Sequence, residues 1–139
     1  MEELFAYSLL FCQGYDFWDL YEEKLDSLFL KYPDNEEYFY LEELKNQKVA
    51  ALHIISKMSE SPFDIERFGR TLMKQIGEIY TKSELTDFAP KMLSLWKTLP
   101  RCVYQEEPFL TLSYADDCLS YGDEKQCRNL YEQAIHYYD

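Results

Sequence analysis

Apolar residues recur every three or four positions along most of the chain, and this spacing predicts helices rather than strands. The clearest case is residues 16–31, where apolar and acidic side chains fall on separate helical faces. The apolar face comprises Phe17, Trp18, Tyr21, Leu25, Leu28 and Phe29. The acidic face comprises Asp16, Asp19, Glu22, Glu23 and Asp26. Tyr32-Pro33 is expected to end this helix, because a residue before proline is biased away from helical backbone angles.

Capping patterns predict where the other helices of the first two thirds of the chain begin. Leu4–Cys12 forms a first apolar helix, and Asp34 with Glu37 makes a capping box for a helix that continues to about Ser59. A further helix is predicted from Ser61-Pro62, because proline suits the first helical turn. Thr81 with Glu84 is predicted to cap the helix after it.

The last third of the chain shows the signals of two consecutive helices. Pro108 is predicted to start the first, Gly122 to end it, and Asp123 to cap the second. Cys102–Tyr104 is the one short β-like run. The sequence therefore predicts an all-α fold: a single domain over residues 1–139, with about five or six helices packed as antiparallel helical hairpins.

The distribution of charge limits which classes of partner are expected to bind this chain. The formal net charge is −12, and residues 1–48 contain 12 acids but only 4 bases. Nucleic acids and anionic membranes need basic surfaces, so neither is expected as a ligand. One basic stripe is the exception and comprises Arg67, Arg70 and Lys74. An alternative role for this stripe is docking against an acidic helix of the same fold. A basic protein partner is expected instead.

The start of the chain and its cysteines favour a cytoplasmic protein. Met1-Glu2-Glu3 is acidic where a secretory signal needs positive charge, and the following apolar stretch is too short to span a bilayer. The four cysteines form no C-x-x-C pair and have no histidine at zinc-finger spacing. They are expected to be reduced thiols that pack as buried, small hydrophobic side chains.

No catalytic or cofactor motif is present, so the chain is not expected to be an enzyme or to bind a metal or cofactor. There are only two histidines, which excludes the paired Glu-x-x-His motifs of a di-iron bundle. His53 is expected to be satisfied and partly buried, and His136 to be exposed. Asp116 and Asp117 are consecutive on a helix, so their carboxylates diverge by roughly 100° and cannot share a proton.

Residues 108–139 resemble a single tetratricopeptide repeat, a pair of antiparallel helices. The residues that match its pattern are Tyr114-Ala115, Cys118, the Gly122-Asp123 turn, Cys127, Tyr131 and Ala134. Thr111 and Asp139 depart from it, and no second copy lies upstream. The resemblance implies helical-hairpin stacking and protein binding rather than an activity. An ordinary helical hairpin would use these residues equally well.

These observations predict an acidic interaction protein, in its most concrete form an inhibitor or immunity-type protein that neutralises a basic nuclease toxin. The partner-binding residues are predicted on two acidic segments, with aromatic anchors on the first. They are Asp16, Asp19, Glu22, Glu23, Asp26, Trp18 and Tyr21, and then Asp116, Asp117, Asp123 and Glu124. The alternatives are a helical scaffold or chaperone that binds a peptide in an aromatic groove, an enzyme with an unrecognised site, and an acidic stripe that is only a solvated helix face.

Overall fold

A computed structural model describes residues 1–139 and is entirely helical, with eight α-helices and no strand. The all-α prediction is confirmed, whereas the predicted number of five or six helices is too low. The chain divides into two compact units, Met1–Asp64 and Ile65–Asp139. No helix is both long and apolar enough to cross a membrane.

The first unit contains four helices. They are α1 Glu2–Cys12, α2 Trp18–Lys31, α3 Glu36–Glu43 and α4 Gln47–Ser59. Helix α1 is the apolar centre of this unit: it packs against α2 and α4, and α2 packs in turn against α3. Its core-facing residues Leu4, Phe5, Leu9 and Leu10 are at most 1% exposed. This burial explains why an 11-residue helix, too short to be stable in isolation, is well formed here.

Two asparagine caps account for the extra helix in this unit. Asn35, rather than Asp34, caps α3, and its side chain accepts hydrogen bonds from the backbone N–H groups of Glu37 and Tyr38. The long helix predicted from Asp34 to Ser59 is broken because Leu44 is extended and Asn46 caps a new helix by accepting from the Val49 N–H. The prediction was wrong there because apolar spacing continued across the break.

The second unit also contains four helices. They are α5 Ile65–Lys82, α6 Leu85–Lys97, α7 Phe109–Ser120 and α8 Glu124–Ile135. The α7–α8 pair makes the most extensive contact, and α6 packs on α7 while α5 packs on α6 and α8. Pro90 lies inside α6 without ending it.

Three local predictions that concern the helices of this unit and their connections are wrong. Pro62 lies before α5 rather than in its first turn, because the helix begins at Ile65. Thr81 lies inside α5 and donates to the carbonyl of Glu78, so it caps nothing. The β-like run Cys102–Tyr104 forms turns.

The turn between α7 and α8 forms as the sequence predicts. Gly122 has φ +82°, the left-handed region that favours glycine. The Asp123 carboxylate then accepts a hydrogen bond of 3.1 Å from the N–H of Gln126 and caps α8. Both features fix the path of the chain from α7 into α8.

Gly122→Val is expected to destabilise the chain by about 1–3 kcal/mol, because a β-branched side chain tolerates positive φ badly. No neighbouring atom lies within 4 Å of an added Cβ, so the cost comes from backbone strain rather than from a clash. Gly122→Asn is the control and should cost clearly less, since asparagine adopts this conformation more readily. Denaturant unfolding measures both, and a Val variant as stable as wild type would contradict this assignment.

Candidate functional site

Helix α2 is anchored by one buried side and presents the other side to solvent. Tyr21, Leu25 and Leu28 are buried, as the amphipathic pattern predicts. The Trp18 ring stacks on that of Tyr21, with 3.9 Å between ring centroids and 14° between ring planes. Tyr21 is only 2% exposed, so its ring lies in the core.

The predicted acidic residues of α2 reach solvent together. Asp19, Glu22, Glu23 and Asp26 are all exposed, and none of the four carboxylates forms an ion pair with a base. Lys24 lies between them in sequence, but its ammonium is 3.8 Å from Glu3 of α1. Asp16 precedes the helix, and its carboxylate accepts a hydrogen bond of 3.1 Å from the N–H of Trp18. The outer face of α2 therefore carries unneutralised negative charge.

Two of these acids border a pocket between α2 and α3. The pocket has a volume of about 260 Å³ and is lined from α2 by Trp18, Tyr21, Glu22, Leu25 and Asp26. The opposite wall is formed by Leu41, Glu42, Leu44 and Lys45. The structure thus brings four of the predicted site residues to one concave place. It leaves Asp16, Asp19 and Glu23 outside it.

The electrostatics of this pocket are those of crowded negative charge. Burial, followed by a hydrogen bond to the Asp26 carboxyl and by the charge of that carboxyl, raises the pKa of Glu42 to about 7, while Lys45 opposes the shift. Burial also raises the pKa of the Tyr21 hydroxyl, and the charges of Glu42 and Glu22 add to that shift. Tyr21 therefore stays neutral, and Glu42 changes charge near neutral pH.

The acids predicted on the C-terminal hairpin have a different character. Asp123 caps α8, and Glu124 forms an ion pair of 2.9 Å with Arg128 one turn further on. Asp117 is exposed and Asp116 is half-buried on α7. Two of the four predicted contacts therefore already serve the helix that carries them, which leaves Asp116 and Asp117 as the candidates there.

A separate groove of about 700 Å³ lies in the second unit between α5 and α8. Met73, Gly77, Tyr80 and Ile135 are among the residues that line it. Its rim is charged and of mixed sign, with Arg70, Lys74, Glu78, Glu132, His136 and Asp139. This is the place where the predicted basic stripe meets aromatic side chains.

The ends of this groove are held by close contacts. Arg70 pairs with Glu66 on its own helix and donates to the carbonyl of Tyr138, at 2.7 and 3.0 Å respectively. The Tyr138 ring lies where a Cβ on Gly69 would be, and its hydroxyl is the atom nearest to that position. Glycine at residue 69 is therefore what lets the C-terminal segment lie against α5.

The histidines have the burial that the sequence predicts. His53 is half-buried and hydrogen-bonds to Glu37 at 2.6 Å, and exposed His136 bonds to Asp139 at 2.6 Å. Burial alone would raise the pKa of Glu37, but hydrogen bonds from Lys57 and His53 lower it overall. This cluster ties α3 to α4. No group of three or more His, Cys, Asp or Glu side chains is placed to hold a metal ion.

The cysteines only partly follow the prediction of burial. All four are free thiols, and Cys127 is buried while Cys118 is half-buried. Cys12 and Cys102 are exposed, so the prediction is wrong for these two. Cys12 ends α1 and Cys102 lies in the turn after α6, which places both at the margins of the packed helices.

Glu42 and Lys45 are the pocket residues that sequence reasoning missed. The pattern merged α3 and α4 into one helix, so no helix end was expected near Glu42. Asn46 is the signal that could have located the break between α3 and α4, because asparagine is a favoured residue at the start of a helix. The proximity of Glu42 to Asp26 depends on tertiary packing and has no local sequence signal.

The raised pKa of Glu42 predicts a pH-dependent stability. Between about pH 4.3 and 7, the folded chain retains a proton that the unfolded chain has lost, so stability falls as pH rises through this range. Glu42→Gln removes the penalty, and its melting temperature should exceed that of wild type by about 3–5 °C at pH 8. The difference should shrink towards pH 5.

Glu43→Gln is the matched control for this comparison. It removes the same charge from the adjacent, exposed position. Thermal scans at both pH values measure the effect. An equal change in the two variants would mean that the gain reflects net charge rather than the environment of Glu42.

No family model, no curated protein and no solved structure matches this chain. The structural features that bear on its function are the acidic face of α2, the α2–α3 pocket and the α5–α8 groove.

Proposed function

We propose that this chain is a protein-binding module that captures a basic partner through the acidic face of α2. The observation that carries the proposal is that Asp19, Glu22, Glu23 and Asp26 are exposed together without any basic partner. Solubility does not require such grouping, because interspersed charges serve it equally well. Four unneutralised carboxylates on one helix create a local field that raises the rate of encounter with a positive surface.

The most concrete form of this proposal is an inhibitor or immunity-type protein that covers the positive active-site cleft of a nuclease toxin. The net charge of −12 supports it, since a nuclease cleft attracts polyanions. A rigid acidic helix held by buried Tyr21, Leu25 and Leu28 offers charges in fixed positions, which limits the ordering cost of binding. We place the protein in the cytoplasm, where its four free thiols would remain reduced.

The α5–α8 groove favours a second candidate, a scaffold or chaperone that binds a peptide. Its volume of about 700 Å³ and its lining by Tyr80, Tyr138 and Met73 suit an extended segment with apolar side chains. The proposed relation of residues 108–139 to a tetratricopeptide repeat agrees with such a role. Four of the positions that carry this resemblance, Ala115, Cys127, Tyr131 and Ala134, are buried.

Association kinetics with a purified partner test the charge proposal. The partner is first captured from the source cell on the immobilised protein and eluted with a salt gradient. Asp19→Asn combined with Glu23→Gln should slow association roughly 3- to 10-fold at low salt. The dependence of the rate on salt should also become shallower. Dissociation should change less, because these carboxylates act mainly before the final contacts form.

Asp116→Asn combined with Asp117→Asn is the matched control, because it removes the same charge from α7 in the second unit. This control should associate at nearly the wild-type rate. If the α2 variant associates as fast as wild type at low salt, α2 is not the binding face. If only the α7 variant is slow, the acidic hairpin of the second unit takes its place.

A further inference from the structure

The α2–α3 pocket has the dimensions of a site for one long side chain. Its volume of about 260 Å³ is less than half that of the α5–α8 groove, which is about 700 Å³. Trp18, Leu25, Leu41 and Leu44 form apolar parts of its wall. Glu22, Asp26 and Glu42 supply carboxylates, and Lys45 is the one base that lines it. The interior thus combines an apolar surface with excess negative charge.

Two residues that line this pocket each have a buried polar atom without a hydrogen-bond partner, although the Glu42 carboxyl also hydrogen-bonds to Asp26. The two atoms are the hydroxyl oxygen of Tyr21 and the Oε1 atom of Glu42. Tyr21 is only 2% exposed, and its side chain lines the pocket. Buried polar groups are nearly always hydrogen-bonded, so two such atoms at one pocket indicate a ligand that donates hydrogen bonds.

The chemistry of the lining restricts that ligand to a cation with several donors. A carboxylate can only accept hydrogen bonds, and the hydroxyl oxygen of Tyr21 can accept one as well. Three carboxylates against one ammonium leave a negative excess that a positive ligand would reduce. The oxygen atoms are not grouped closely enough to hold a metal ion, which favours an organic cation.

We infer that this pocket receives an arginine side chain, whose guanidinium binds Asp26 and Glu42 beside the Tyr21 hydroxyl while its methylenes lie along Trp18. A planar guanidinium offers five donors in a fixed arrangement and is weakly hydrated, whereas an ammonium is a compact, strongly hydrated charge. The statement that the arginine belongs to a partner protein rests on the proposed function. The affinity of the pocket for an arginine side chain does not depend on that function.

The charged groups around Glu42 make this binding dependent on pH. Asp26, Glu22 and Tyr21 face it from α2, and Lys45 faces it from the segment after α3. Because the pKa of Glu42 is raised to about 7, the free pocket holds a proton below that pH. A guanidinium prefers the ionised carboxylate, so binding should strengthen as pH rises and should release a proton near neutrality.

The test titrates the whole chain with N-acetyl-arginine methylamide and, separately, with N-acetyl-lysine methylamide, and follows amide and indole resonances by NMR. For a ligand of this size we expect a dissociation constant of about 1–10 mM at pH 8. Shifts should centre on Trp18, Tyr21 and Glu42. The lysine compound should bind several-fold more weakly, and the arginine compound should bind more weakly at pH 5.5 than at pH 8.

Glu42→Gln should weaken arginine binding at pH 8 at least 5-fold and abolish its pH dependence, a loss typical for one charge-assisted hydrogen bond. Glu43→Gln is the matched control and should bind like wild type. Asp26→Asn provides a second variant on the other wall of the pocket and should also weaken binding. Amide spectra of each variant without ligand verify that the fold is retained.

Several outcomes would overturn the inference. These are the absence of saturable shifts, equal binding of the lysine compound, and equal binding by Glu42→Gln and Glu43→Gln. This experiment uses no partner protein, and its variants differ from the Asp19 and Glu23 substitutions that test charge steering. Failure of the pocket would therefore leave the proposed function standing, and failure of charge steering would leave the pocket standing.

Discussion

The packing of α2 is the constraint on which the acidic face of α2 and the α2–α3 pocket both depend. Burial of Tyr21, Leu25 and Leu28 fixes the rotation of this helix, so Asp19, Glu22, Glu23 and Asp26 have to face outwards. The same burial brings Asp26 to the seam with α3, where Glu42 lies. The hydrophobic energy of one helix face therefore holds like charges close together, which the charges would not do by themselves.

This arrangement costs stability in the free chain, and the cost is concentrated in the α2–α3 pocket. The Tyr21 hydroxyl and Glu42 Oε1 are buried without a protein partner, and Asp26 adds repulsion to the burial of Glu42. Folded proteins usually avoid such features except where a site requires them. A cationic ligand would relieve the repulsion and supply hydrogen-bond donors, so in our proposal the atoms that weaken the fold would provide free energy for recognition. In the same proposal, the acids outside the pocket act at longer range and raise the rate of encounter.

The sequence was sufficient where local chemistry determines the structure. The amphipathic pattern of residues 16–31 defined α2 and its buried face, and Gly122 with Asp123 defined the turn between α7 and α8. It was insufficient at Asn46, because apolar periodicity continues across the break between α3 and α4. The pocket could not be predicted, since Glu42 meets Asp26 only through the packing of two helices.

The most direct test of this account is a pH titration of the side-chain carboxyl carbon of Glu42 by ¹³C NMR, with and without an arginine derivative. The account predicts a midpoint of about 7 in the free protein and a clear decrease when the derivative is present. That result would show that the α2–α3 seam crowds negative charge and that a guanidinium relieves it. A midpoint near the ordinary glutamate value of about 4.3, unchanged by the derivative, would contradict the account.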